Sequence, residues 1–448
     1  MKKKFIYILL IAFFFSISAF VVIRYSINQT KLKNATYPLI ERKDTKAIAA
    51  EWQGTKETAQ KLINTLQYNP KDIKAAIALS SLYIQEARIT GNYVYYDAAA
   101  IKYINSVLED QPDNFEALTL KALLYMSQHH FADGLAIAEK AQKVNPYNAL
   151  IYGILVDGNV EMGNYKAAVE NSDKMVSIRP DIRSYARISY LREIHGDYPG
   201  AIQAMKLAVD AGGAGDEPTE WTRIQLARLY ENTGDLKSAE MHYMIALQER
   251  PGYPYATAGL GHLAMVNNDY AKAISYYEQA SASINDYAIK EQLSQLYRLK
   301  GDTKKANTFL QNITDGMNND GKKGDQDESI GHYADRELAY VYLLQNDNEN
   351  ALKHALIEYN RRPENIDVNE TVAWVYYKTG AFQKATNYIG IALKTNCKNP
   401  TLLCRAGLIY AKAGNKIKGK QLLTEALKNN PGIDVELKAE SENMLKDL

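Results

Sequence analysis

Cysteine is almost missing from this chain: Cys397 and Cys404 are the two in 448 residues. Two thiols cannot by themselves complete a four-ligand zinc site, and their spacing is not the C-x-x-C of a redox or metal knuckle. They are expected either to bridge in an oxidising compartment or to stay as two small buried thiols. An excess of charge is missing too. Lys plus Arg number 53 against 52 Asp plus Glu, a net +1. With no long basic run beyond the first few residues, the concentrated positive charge that nucleic acid requires is excluded. Signatures of chemistry are equally scarce. The glycine-rich stretch AGGAGDEP at 211–218 has no Gly-Lys-Ser/Thr and reads as a connector rather than a phosphate cradle. The carboxylates within 314–331 lack the glycine-centred loop of a calcium site. His129-His130 have no third ligand nearby and are expected to be solvated turn residues. No nucleophile elbow, H-E-x-x-H or dinucleotide fingerprint occurs, so neither an enzyme nor a bound metal or cofactor is expected. For an enzymatic reading, His262 and Glu291 are the candidates that can be named.

Long apolar runs are confined to one place. After Lys2, Lys3 and Lys4, the chain is apolar from Phe5 to Ile23, broken only by Ser16 and Ser18, and ends at Arg24. As a helix such a run spans about 28 Å, close to the roughly 30 Å of a bilayer's hydrocarbon. Residues 1–25 are therefore expected to be a signal anchor in the cytoplasmic membrane, or a signal peptide cut before Ala19. Either way the lysines stay on the cytoplasmic side and the remainder lies on the extracytoplasmic, periplasmic side. No cysteine follows that would make it a lipoprotein.

Tyrosine, by contrast, is abundant, at 33 residues. Its placement follows a period. Pro112, Pro146 and Pro180 fall 34 residues apart, and between such prolines a pattern recurs. In the stretch YENTGDLKSAEMHYMIALQERP it is carried by Gly234, Ala239, Tyr243, Ala246 and Pro251; elsewhere it reads Gly163-Asn164-Tyr165, Gly196-Asp197-Tyr198, Asn268-Asp269-Tyr270 or Gly380-Ala381-Phe382, each followed by spaced alanines. Leu226, Ala227 and Tyr230 share one helix face, and Ala239, Tyr243 and Ala246 share another. Gly234 suits the left-handed end of the first helix and Asp235 the cap of the second.

These residues resemble the tetratricopeptide repeat family, whose unit is a pair of antiparallel helices. The resemblance implies an all-α fold, a right-handed α-solenoid of about ten such helix-turn-helix units, preceded by the N-terminal apolar helix. Units are placed at about 71–113, 115–148, 149–181, 182–215, 220–253, 254–286, 287–316, 332–365, 366–399 and 400–433. The expected layout is a leader at 1–25, a linker at 26–43, an N-terminal superhelix at 44–313 and a polar linker at 314–331 that hinges two halves. C-terminal repeats follow at 332–433 and a capping helix at 434–448. Inserted residues at ITGNYVYYD, between the helices of the first full unit, are expected either to extend those helices or to form an exposed recognition element.

The resemblance also implies where function lies, on the groove lined by the first helix of each unit. Carried over position by position, the groove residues are Tyr190, Trp221, Arg228, Tyr255, His262, Arg336, Tyr340, Trp374 and Tyr377, with Glu291, Gln295 and Arg298 beside them. The basic clamp some members use on a terminal carboxylate is not expected, because the matching early positions hold Glu116, Thr119, Leu150, Gly153 and Asp157. The expected role is a non-catalytic adaptor for protein or peptide partners. A structural brace in an envelope export or polysaccharide-secretion assembly is the alternative.

Overall fold

The computed structural model describes residues 11, 13–24, 37–43, 48–326, 331–428 and 432–448, and every described regular element is a helix. Of the apolar run at 5–23, Ile11 and residues 13–23 are among them, and residues 5–10 and 12 lie outside. Residues 13–24 are a helix (α1) whose apolar side chains, Phe13 to Phe15 among them, are exposed. No described helix is long and apolar enough to cross a membrane.

After α1 come α2 (Ala49–Tyr68) and then ten helical hairpins. The first five are α3 (Ile73–Thr90) with α4 (Tyr93–Asp110), α5 (Phe115–Ser127) with α6 (Phe131–Val144), α7 (Ala149–Glu161) with α8 (Tyr165–Ile178), α9 (Ile182–Ile194) with α10 (Tyr198–Asp210), and α11 (Glu217–Asn232) with α12 (Leu236–Glu249). The second five are α13 (Pro254–Val266) with α14 (Tyr270–Ser283), α15 (Tyr287–Leu299) with α16 (Thr303–Gln326), α17 (Asp335–Leu344) with α18 (Asn348–Arg361), α19 (Ile366–Lys378) with α20 (Phe382–Ala392), and α21 (Pro400–Lys412) with α22 (Lys416–Leu427). A single helix, α23 (Val435–Asp447), closes the stack. The sequence period places all ten hairpins.

The local chemistry repeats with the hairpins. Six of the ten second helices start on an Asp or Asn whose side chain accepts from the backbone, as Asp235 does from Ser238 and Asp269 from Lys272. The turn before each cap needs a left-handed residue, supplied by Gly163, Gly196, Gly234, Gly301, Gly380 and Gly414, or by Asn268 and Asn346. Packing within the stack pairs large against small: the Tyr243 ring, fully buried, fills the space over Gly259, where an added Cβ would come within 2.3 Å of it. The Tyr277 ring does the same over Gly261, where an added Cβ would come within 2.9 Å of it.

One expectation is corrected here. The segment at 314–331 is not a hinge: α16 continues through it to Gln326, with residues 327–330 outside the described ones. The reason is apolar. Ile313 and Met317 are buried with Leu338 and Val341 of α17, which anchors the helix despite its polar exterior. Thr314 also accepts from Gln345, and Asn318 donates to Tyr342, tying the two sides together. At the other end, of the two readings of the insertion, the structure takes the helical one for Tyr93 to Tyr96. They are the first turn of a lengthened α4, and the Tyr95 and Tyr96 hydroxyls bond the extended segment 37–42 through Pro38 and Ile40.

The solenoid coils back onto itself. His129 meets the carbonyl of Tyr333, Tyr165 accepts from the amide of Ile366, and Arg250 pairs with Glu51, across 204, 201 and 199 residues. These separations are close to six repeat periods, so about six units make one coil and the next coil rests on it. The contacts are regular in register. The hairpin turns at Gly91, His129, Gly163 and Gly196 touch the loops between later units at Asn285, Tyr333, Glu364 and Asn396. Ion pairs line the same seam, Arg88 with Glu217 and Arg362 with Glu161.

Candidate binding site on the inner wall

First helices of the units face inward, and from α11 to α21 their inward-facing positions converge on one cavity of about 790 Å³. It is lined by Arg228 of α11, Tyr255 and His262 of α13, Glu291, Gln295 and Arg298 of α15, Tyr340 of α17, Trp374 of α19 and Arg405 of α21. Five of the nine residues expected on the groove therefore meet in one space: Arg228, Tyr255, His262, Tyr340 and Trp374.

The walls differ in how far their polar groups are committed. On the C-terminal side the Arg405 guanidinium donates to Tyr340 and Glu370, both at 2.8 Å, and lies 5.1 Å from the Trp374 ring centre. Trp374 stacks on Tyr377 at 4.9 Å, and the Tyr377 hydroxyl donates to Glu440 of α23 at 2.6 Å. Lys378 reaches the same carboxylate. Trp374 and Tyr377 are consequently buried, only 7% and 6% exposed, rather than open groove surface, because α23 and Arg405 cover them. The inner face of α23 forms part of the wall.

On the opposite wall, Trp221 stands edge-on to Tyr255 at 4.9 Å and Arg228 lies 5.9 Å from the Trp221 ring centre. Trp221 supports the wall from behind. Arg228 is exposed and has no ion pair, while His262 bonds Glu231 at 3.1 Å and Glu231 in turn accepts from Tyr243. Glu291 has no ion pair either, and burial raises its pKa above the ordinary carboxylate value. Among the described residues, Arg228 and Glu291 are thus charged groups of the site without an ion pair.

Two expected residues lie elsewhere. Arg336 packs against Tyr340 at 5.9 Å, outside the cavity, where Asp367 and Tyr340 raise its pKa against the effect of burial. Tyr190 sits further along the inner wall on α9. It is 38% exposed, yet burial among the surrounding walls raises its phenol pKa strongly, so that exposure is to a confined interior rather than open solvent. The sequence reading overlooked Arg405 and Glu440. A cation inside the apolar run LLCRAGLIY was the available signal for the first; none existed for the second.

No three His, Cys, Asp or Glu side chains among the described residues are grouped to hold a metal ion. Cys397 and Cys404 are both free and buried, and burial raises both thiol pKa values. The His129-His130 pair is not solvated: His130 is buried and both rings bond the next coil.

Comparison with known proteins agrees with this architecture. A family model described as tetratricopeptide repeat matches residues 224–287, which run from within α11 to the start of α15. Over that stretch the chain is similar to the tetratricopeptide repeat family. No curated protein matches it significantly in sequence. Similar solved structures include a tetratricopeptide repeat protein from Parabacteroides merdae, at 16% identity over 56% of this chain and 96% of that one, with a TM-score of 0.42. The APC/C hetero-tetramer Cut9-Hcn1 matches at 16% identity over 96% and 82%, TM-score 0.39, and PilF of Pseudomonas aeruginosa at 15% over 45% and 90%, TM-score 0.36. Similarities this distant carry no argument about function.

Proposed function

We propose that this protein is a non-catalytic scaffold that holds a segment of a partner protein in the cavity between α11 and α23. It would act on the extracytoplasmic side of the cytoplasmic membrane, exported or tethered by the apolar run that starts at Phe5. The observation that carries the binding reading is the convergence of Arg228, Tyr255, His262 and Tyr340 from separate units on one space of about 790 Å³. Aromatic walls give large contact area at small entropic cost, and the exposed Arg228 is available to a carboxylate or backbone carbonyl of the partner. Support for export is the lysine-led apolar sequence alone.

The test is crosslinking in intact cells of the tagged full chain, with an Arg228→Glu, Tyr255→Ala double variant of unchanged helicity as comparison. A protein crosslinked to the wild type and lost in the variant supports the cavity as the contact surface. Partners retained unchanged would transfer the contact to the outer face and favour the bracing role. Fractionation of the same cells, with the size of the mature chain, tests tethering against a cleaved leader.

A further inference from the structure

We propose that the seam between the two coils is a pH-sensitive latch, closed by the cluster of His129, His130 and His332 and released when His332 is protonated. It goes beyond ligand binding and does not depend on what the cavity holds.

Three observations converge. His129 occupies the left-handed position of its hairpin turn, φ 62°, where the other units place Gly or Asn. A side chain there strains the backbone by about 1–2 kcal/mol, and this one is retained where its ring reaches the next coil. Its Nδ1 lies 2.9 Å from the Tyr333 carbonyl. Second, His130 is buried, stacks on Tyr333 at 3.9 Å and 7°, and sets Nε2 2.9 Å from the Gly331 carbonyl. Third, the His332 ring is 4.4 Å from that of His129, so the cluster joins one hairpin turn of the first coil to one loop of the second.

The surroundings disfavour added positive charge. From α18, Arg361 lies over Tyr333 at 3.8 Å and Arg362 over Phe131 at 4.4 Å; from α17 comes Arg336. The facing carboxylates are already engaged: Glu161 of α7 by Arg362, Asp335 of α17 by Arg361 and His354, and Glu358 of α18 by both arginines. Asp367 of α19 acts on both Glu161 and Arg336. Burial, then the neighbouring His129 and His130, push the His332 pKa down to about 3.

The sign follows from linkage. With a closed-state pKa of about 3 and an ordinary value near 6.5 once released, His332 leaves the seam at full strength above about pH 6.5 and weakens it as pH falls toward 3. Two groups oppose this. Burial raises the Glu161 pKa, so its protonation favours closure as pH falls. Asp97, pushed by burial to about 8, titrates in the same opposing sense but sits behind Gln128 within the first coil.

Hydrogen exchange of the full chain at pH 7, 6 and 5, corrected for intrinsic rates, reads the latch through residues 331–334, where the Tyr333 amide donates to the Gln128 carbonyl at 3.0 Å. The expected result is an opening constant that rises roughly 25-fold from pH 7 to pH 5, with helicity unchanged. His332→Asn flattens that rise and Asp97→Asn leaves it in place. Protection of 331–334 that does not change between pH 7 and 5 in the wild-type chain overturns the latch, and needs no variant. A His332→Asn chain that keeps the full rise overturns the assignment to this cluster.

Discussion

Glycines at the hairpin turns all have positive φ, yet they do not do equal duty. At Gly163 an added Cβ would come within 2.4 Å of the Glu364 carbonyl oxygen on the next coil, whereas at Gly380, with a similar φ of 77°, nothing lies within 4 Å. Gly380→Ala is therefore expected to lose only the left-handed strain, about 1–2 kcal/mol. Gly163→Ala adds displacement of backbone across the seam and is expected to lose at least twice that. Urea unfolding of the two variants checks this, and equal losses would mean that the coils are not in contact in solution. Tyr243 offers a second residue-scale test. Its hydroxyl donates to the largely buried Glu231, which also holds His262, so Tyr243→Phe should lose about 1–2 kcal/mol and loosen that side of the cavity wall. Thermal unfolding measures the first effect, and a loss of under about 0.3 kcal/mol would contradict the buried bond.

The helix α16 shows why elements were only partly legible in the sequence. The 34-residue period, with its left-handed turn and Asp or Asn cap, is a local signal, so ten hairpins could be placed from spacing. The polar run after Ile313 carries Gly316 and Gly321 and a dense set of Asn, Asp and Lys, all local signals for a linker. What overrules them is tertiary: Met317 buried against α17, and Gly316 placed where its Cα lets the Tyr287 hydroxyl approach, since a Cβ there would lie 2.3 Å from that oxygen. The same limit applies to the site. Positions facing inward could be counted off each unit, which identified Arg228, Tyr255 and His262. That α23 would cover Trp374 and Tyr377 could not, because it depends on where a helix some sixty residues later comes to rest. Met317→Asp tests the element directly: it should destabilise the chain by about 3 kcal/mol or more and open 314–322 to protease, while intact α16 resists cleavage there.

At the scale of the whole molecule the coil contact changes how stability is shared. In an open solenoid each unit touches only its neighbours, and a local defect decays along the stack. Here the first four hairpin turns also rest on the loops that follow the sixth, seventh, eighth and ninth units. The ninth unit shows the consequence. Val372 is fully buried in α19, and α19 begins at Ile366, whose amide donates to the Tyr165 hydroxyl at 2.9 Å, while the adjoining Asn365 donates to the Glu161 carbonyl at 3.0 Å. Val372→Ala should remove about 1–2 kcal/mol locally, at the smaller end of large-to-small core changes. If the coils are coupled, part of that loss appears in α7 and α8, about 200 residues away in sequence, while α11 and α12, which lie nearer in sequence but off this part of the seam, change less. Residue-resolved hydrogen exchange distinguishes the two patterns. A loss of protection that declines smoothly with repeat number from the ninth unit would mean that the chain behaves as a linear stack, and the seam contributes nothing to its cooperativity. A loss that skips back to α7 and α8 would make the closed coil the cooperative unit, because only the seam joins those helices to α19.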